Sequence, residues 1–128
     1  MKHKELTQQI IGCAMRIHST LGNGFPEVIY QRCMEIEFNE IGLSFAREKD
    51  IPVYYKNYEV GLRRADFIVE DDIIVELKAM IQLEDAHLAQ ALNYLEAYNK
   101  EIGLLINFGA KSLQFKRLYN RKLKNKNK

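Results

Sequence analysis

The segment Ile102-Gly103-Leu104-Leu105-Ile106-Asn107-Phe108 is apolar at almost every position. No other feature limits the folds open to this chain as strongly. A strand with one wet face alternates apolar and polar residues, whereas a nearly continuous run of this length belongs to a strand buried on both faces. Before it, Leu88, Ala91, Leu92, Leu95 and Tyr98 recur at helical spacing and give residues 84–99 one buried face. A helix leading into a doubly buried strand is the pattern of a crossover, so parallel pairing with an earlier strand is expected.

The rest of the chain fits around that unit. Leu6, Ile10, Cys13, Ala14, Ile17 and Leu21 form one apolar stripe and predict a helix over 3–21. Gly22-Asn23-Gly24 stops it, Pro26 opens a second helix running to about Ile41, and Gly42 ends that one. Residues 44–55 and 58–70 carry alternating or β-branched runs separated by a Lys56-Asn57 turn. Glu70-Asp71-Asp72 turns the chain into a strand at 73–79. Three strands with short connections suggest an antiparallel meander, and Leu113–Tyr119 suits a final strand. The order is α-α-β-β-β-α-β-β, which predicts an α/β (α+β) fold with a mixed central sheet flanked by helices.

Residues 1–120 read as a single domain, with 47% hydrophobic residues in the chain as a whole to build its core. Residues 121–128 read as a basic, disordered tail. Residues 116–128 hold seven basic residues and no acid, and the remainder has 12 basic against 17 acidic residues. Lys116, Arg117, Arg121 and Lys122 are therefore the candidate phosphate contacts. No apolar run approaches the roughly 20 residues of a membrane span, and the N-terminus lacks the apolar stretch of a secretory signal. Cys13 and Cys33 stand alone, as thiols do in a reducing compartment, so a cytoplasmic location is expected.

The chemistry concentrates in 73–79. Alternation puts Ile74, Glu76 and Lys78 on one face, so a carboxylate and an ammonium interrupt an apolar strand. Burying them is costly unless they pair or hold a metal. An isolated E-x-K is most often a solvated cross-strand pair. Here Asp66 interrupts the preceding apolar run at a position where a hairpin through 70–72 sets it beside Glu76. Two adjacent carboxylates repel, and a divalent cation such as Mg²⁺ or Mn²⁺ resolves the repulsion. Lys78 would then act on an attacking water or on phosphate charge. Glu27 shares a helical face with Tyr30, Met34 and Phe38, but an acid in a first turn is also favoured by the helix dipole alone. Gln90 and Tyr94 lie at i, i+4 with His87 one turn earlier, a set that a surface amide and a half-buried tyrosine would equally explain. No P-loop, HExxH, GxSxG or zinc spacing is present.

Asp66 followed by Ile74-Val75-Glu76-Leu77-Lys78 resembles the D…(D/E)xK motif of the PD-(D/E)XK nuclease superfamily, with Ala65 in place of the proline. Gln90-Ala91-Leu92-Asn93-Tyr94 resembles the QxxxY motif of its RecB-like branch. Gly24, Glu27 and Tyr30, within Leu21–Tyr30, resemble the signature of the GxxExxY protein family, as do the blocks 51–55, 74–79 and 103–110. The resemblance covers roughly residues 5–119. It implies a restriction-endonuclease-like core and a metal held by Asp66, Glu76 and the Leu77 backbone carbonyl, with Glu27 as an added acid. Lys78 would serve the nucleophilic water, Gln90 would assist from the following helix, and Tyr94, Tyr30 and His18 would support the site.

The resulting expectation is a Mg²⁺-dependent nuclease hydrolysing phosphodiester bonds of nucleic acid, DNA before RNA, with no membrane partner and a homodimer where both strands are cut. The alternative is an inactive nuclease-fold module that binds nucleic acid or another protein.

Overall fold

The computed structural model describes residues 2–124. Two helices come first, α1 (Lys2–Leu21) and α2 (Glu27–Glu40). Five strands follow: β1 (Phe45–Arg47), β2 (Asp50–Tyr55), β3 (Tyr58–Arg64), β4 (Phe67–Val69) and β5 (Ile73–Lys78). The helix α3 (Asp85–Tyr98) then leads to β6 (Ile102–Asn107) and β7 (Gln114–Tyr119). The main sheet has the order β1-β4-β5-β6-β7, and β2 and β3 form a separate two-stranded sheet. As the apolar run predicts, β6 is buried at every residue and pairs in parallel with β5. The other neighbours are antiparallel.

The sheet is the middle of three layers. On one face Phe67, Val69, Val75, Leu77, Leu104 and Ile106 meet Ile10, Ala14, Met34 and Phe38 of α1 and α2. On the other, Ile68, Ile74 and Leu105 meet Ala91, Leu95 and Tyr98 of α3. Gly103 lets α3 come close, because a Cβ there would stand 3.0 Å from Leu95 and 3.1 Å from the Ile74 carbonyl. Cys13 is buried and Cys33 half-buried, both as free thiols.

The three-strand meander is replaced by a split arrangement. The first run breaks at Glu48, whose φ of 52° is left-handed. The second breaks between Arg64 and Phe67, where Asp66 forms a bend. Short β1 then pairs with β4, while β2 and β3 pair with each other. Burial is the physical reason: β4 is buried at all three residues and β3 is exposed at all seven, so one continuous strand could not serve both surfaces. The hairpin is moored at its base, where Ile51 packs into the core on the α3 side and the Tyr98 hydroxyl donates to the Lys49 carbonyl and accepts from the Ala65 N–H.

The basic tail is placed as far as Lys124. Lys124 N–H donates to Asn99 Oδ1 at 2.9 Å, and Lys122 lies 3.9 Å from Glu96. That portion meets the end of α3, and residues 125–128 of the expected tail lie outside the described residues.

The loops at the C-terminal ends of β5 and β6 are clipped together by one buried amide. Asn107 Oδ1 accepts from Met80 N–H at 2.9 Å and Gly109 N–H at 3.1 Å, and its Nδ2 donates to the Met80 carbonyl at 2.9 Å. A Cβ on Gly109 would sit 2.1 Å from the Met80 nitrogen, against backbone that cannot yield cheaply. Gly109→Ala is therefore expected to destabilise the fold by about 3 kcal/mol or more. Thermal unfolding followed by circular dichroism checks this, and a Tm within a degree of wild type would contradict it.

Candidate active site

The β4–β5 ladder ends at Phe67↔Val75. Beyond that pair the backbone of Asp66 bends away, and side chains take over the ladder's bonds. Leu77 N–H donates to Asp66 Oδ2 at 2.7 Å, and Asp66 N–H donates to Glu76 Oε1 at 2.8 Å. Each acid is thus held by a backbone amide of the opposite strand, and the two carboxylates converge on one spot. A strand residue's N–H and C=O point the same way, so the Leu77 carbonyl faces the gap that Asp66 fills. Glu76 is only 5% exposed, while Lys78, two residues on and on the same face, is half-buried.

Two helices close the spot from opposite sides. From α2, the Gln31 amide donates to Asp66 Oδ1 at 2.6 Å. Gln31 in turn accepts from Arg47 at 3.3 Å, and Arg47 also pairs with Glu35. Glu27 stands one turn earlier on α2, half-buried and within the electrostatic reach of Asp66 and Lys78. From α3, half-buried Tyr94 feels the charges of Glu76, Asp66 and Arg63.

Position 30 explains how Glu27 is presented. The Tyr30 hydroxyl donates to the Gly22 carbonyl at 2.6 Å and accepts from Phe25 N–H at 3.2 Å. Its ring stacks on Phe108 with centroids 4.4 Å apart. The glycine-rich connection, the start of α2 and the end of β6 are therefore fastened to one side chain.

A model of the PD-(D/E)XK nuclease superfamily matches residues 4–118. The chain belongs to this superfamily. Its members are generally phosphodiester hydrolases acting on nucleic acid, and they typically use divalent metals. No curated protein matches the chain. Among solved structures, the crystal structure of SSO0001 shares the fold, with a TM-score of 0.56 at 14% identity over 84% of this chain and 62% of that one. The chain thus spans less than two thirds of the length of that relative.

As a PD-(D/E)XK chain, it sets Asp66 and Glu76 side by side, with Lys78, Glu27 and Tyr94 within their electrostatic reach. Gln90 is exposed on α3, one turn before Tyr94. His87 caps its own helix, accepting from Glu84 N–H at 3.0 Å. His18 bonds the Ala110 carbonyl at 3.0 Å and tilts against Phe108, so it holds the loop after β6. The basic candidates are not gathered at the acids. Lys116 and Arg117 pair opposite Leu105 and Leu104 on β7, the far edge strand, and so point to opposite faces. Arg121 and Lys122 follow Tyr119, which pairs with Ile102 at the other end of β6 from the site. Sequence reading missed Gln31, because a lone glutamine on an amphipathic helix gives no signal. It missed Arg63 because the hairpin's twist away from the sheet is a tertiary event.

Burial, reinforced by the Asp66 charge, pushes Glu76 up to about 8, against the opposing Asp66 N–H and Lys78 ammonium. Burial also raises Asp66, against its bonds from Leu77 and Gln31. Glu27 is raised by burial and then by the Asp66 charge. Between the ordinary carboxylate pKa and 8, the folded protein therefore holds a proton on Glu76 that the unfolded chain releases. Stability must fall as pH rises through that window. Metal-free protein is expected to lose about 5–10 °C in Tm between pH 5 and pH 8, and Glu76→Gln is expected to flatten the slope. An equally steep decline in the Glu76→Gln protein would disprove the assignment.

Proposed function

We propose that this protein is a Mg²⁺- or Mn²⁺-dependent nuclease that hydrolyses phosphodiester bonds of DNA at the Asp66–Glu76 site. The carrying observation is that backbone amides hold both acids at the open end of the β4–β5 ladder, Leu77 N–H donating to Asp66 and Asp66 N–H to Glu76. Two desolvated carboxyl groups, the charge of Asp66 acting on Glu76, cannot both ionise at low cost in the absence of a cation.

The donors suit a hard cation. Two carboxylates and an adjacent carbonyl, from Asp66, Glu76 and Leu77, match the oxygen preference of Mg²⁺. Among the described residues no three His, Cys, Asp or Glu side chains form a ready metal cluster. Mg²⁺ does not require one, since it keeps several waters and takes further oxygens from substrate phosphate. When bound, the cation would supply charge neutralisation at the phosphate and would lower the pKa of the attacking water.

The chain's own residues would do the rest. Lys78 is set two residues beyond Glu76 on a strand held on both sides, so its ammonium can orient the nucleophilic water and offset charge on the phosphate. Glu27 stands across from Lys78 on α2, where it can take a proton or complete the coordination. Gln31 fixes the Asp66 carboxylate and favours its ionised form. Tyr94 shields the Glu76 side from water. Tyr30 holds the loop that presents Glu27. The bonds from Tyr30 to the glycine-rich connection ahead of Glu27 support the GxxExxY reading, and the electrostatic reach between Tyr94 and the acids supports the RecB-like one. Gln90 would enter through substrate rather than through the acids.

Supercoiled and single-stranded DNA should be cut in Mg²⁺ or Mn²⁺ and left intact in EDTA. Lys78→Ala should lower the rate by about 100-fold or more while leaving DNA affinity within a few-fold. Wild-type turnover by that variant would remove Lys78 from the chemistry, and intact DNA under both metals would refute the nuclease reading. Gln31→Leu should keep the fold and raise the Mg²⁺ concentration for half-maximal cleavage by about tenfold, because a hydrogen bond to a charged acceptor contributes roughly 1.5–3 kcal/mol. A Mg²⁺ titration unchanged by the substitution would contradict that role.

A further inference from the structure

The β2–β3 hairpin stands apart from the main sheet and leaves large side chains uncovered. Tyr54 is 61% exposed, Tyr55 64% and Tyr58 74%. Tyr55 and Tyr58 are direct cross-strand partners, so their side chains leave the hairpin on the same face. The Lys56 ammonium lies 5.4 Å from the centre of the Tyr55 ring. At the base, Arg63 is paired with Ile51 and shares the face that Ile51 turns into the α3-side core. The next strand residue, Arg64, is taken up by Asp50 at 2.7 Å.

Two facts bear on what covers this tip. Residues 49–64 carry four basic and two acidic residues, on a body that is acidic outside its C-terminal tail. The hairpin also runs straight into the acids, with Asp66 two residues after Arg64. A polymer whose phosphate reached Asp66 and Glu76 would continue along a basic arm with open aromatic faces.

We propose that the hairpin tip is a stacking platform, in which Tyr55 and Tyr58 hold unpaired bases and Lys56 and Arg63 take the flanking phosphates of a single-stranded segment next to the cleavage site. This rests on the nuclease reading and adds a substrate class to it. Duplex DNA hides its base faces, whereas an unpaired strand offers them to any aromatic ring, and each such stack contributes substantially and without sequence preference. Cations beside the rings add phosphate attraction.

The test uses the full chain in EDTA, with a fluorescein-labelled single strand of about 16 nucleotides, within the span one such module covers, and the duplex of the same sequence. The Tyr55→Ser, Tyr58→Ser double variant is expected to bind the single strand about tenfold or more weakly. Tyr55→Phe, Tyr58→Phe should stay within a few-fold of wild type, since the ring is retained. Duplex affinity should change little in either. With no Trp in the chain, quenching of tyrosine fluorescence by the unlabelled single strand should be strong in wild type and reduced in the Ser pair. Equal single-strand affinity of the Ser pair and wild type would overturn the proposal. So would a Ser pair that halves the mass seen by light scattering with unchanged DNA affinity, which would make the tip a contact between two copies. Mg²⁺-dependent cleavage by wild type is run alongside. Cleavage with unaltered Ser-pair binding sinks the platform alone, and absence of both binding and cleavage sinks the nuclease reading as well.

Discussion

Everything in the site depends on two hydrogen bonds that cross the β4–β5 boundary, Leu77 N–H to Asp66 and Asp66 N–H to Glu76. The first would have been an ordinary ladder bond had β4 continued. The chain gives up a backbone acceptor for a carboxyl group, so a side chain completes the bonding of the β5 backbone. The cost is two acids in a place where neither ionises readily, with Glu76 pushed to about 8. Such a pair is costly as a purely structural device, and the proposed cation would relieve that cost. That asymmetry is why the strained electrostatics point to function rather than to stability.

Rigidity around the acids comes from both helical layers and from the loops beyond the strands. Tyr30 ties the start of α2 to Gly22 and stacks on Phe108 at the end of β6. Asn107, immediately before Phe108, ties the segment after Lys78 to the segment after β6. The parallel β5–β6 pair makes this economical, because the C-terminal ends of both strands lie side by side. One short stretch, 107–108, therefore steadies Lys78 from the sheet and Glu27 from the helix. Positional precision of this kind is what a site built on ions requires.

Legibility in the sequence followed how local each cause is. The parallel β6 could be read because double-sided burial writes a continuous apolar run. The three helices could be read because their stripes repeat at 3.6 residues, and the ends of α1 and α2 also carry Gly or Pro. Asp66, Glu76 and Lys78 stood out because charge in a buried strand is anomalous on its face. The detachment of β2–β3 could not be read, since Tyr54, Val60 and Leu62 have strand-forming side chains whether or not anything covers them. Gln31 and Asn107 escaped for a related reason: an amide is an unremarkable residue until its partners, Asp66 or Met80, are known in space. For the basic residues of β7, proximity in sequence said nothing of the opposite faces they occupy.

The bend at Asp66 ties the site to the hairpin through one geometric cause. Were residues 58–69 a single straight strand, Ala65 would pair with Leu77, the Leu77 amide would be spent on backbone, and Asp66 would hang from a regular sheet. The bend frees that amide for the carboxylate, and it also swings residues 50–64 off the sheet edge, where β1 takes the vacated place beside β4. The Tyr98 hydroxyl secures both consequences, bonding Ala65 at the bend and Lys49 at the start of the hairpin. A projecting hairpin is costly for a small domain, because a two-stranded sheet on its own is marginal in water. Here the bend that sets the acidic pair is also the point at which the hairpin leaves the sheet. A fold that links the two so directly delivers its paired acids and its exposed aromatic arm together, with only two residues between the end of the arm and the start of β4.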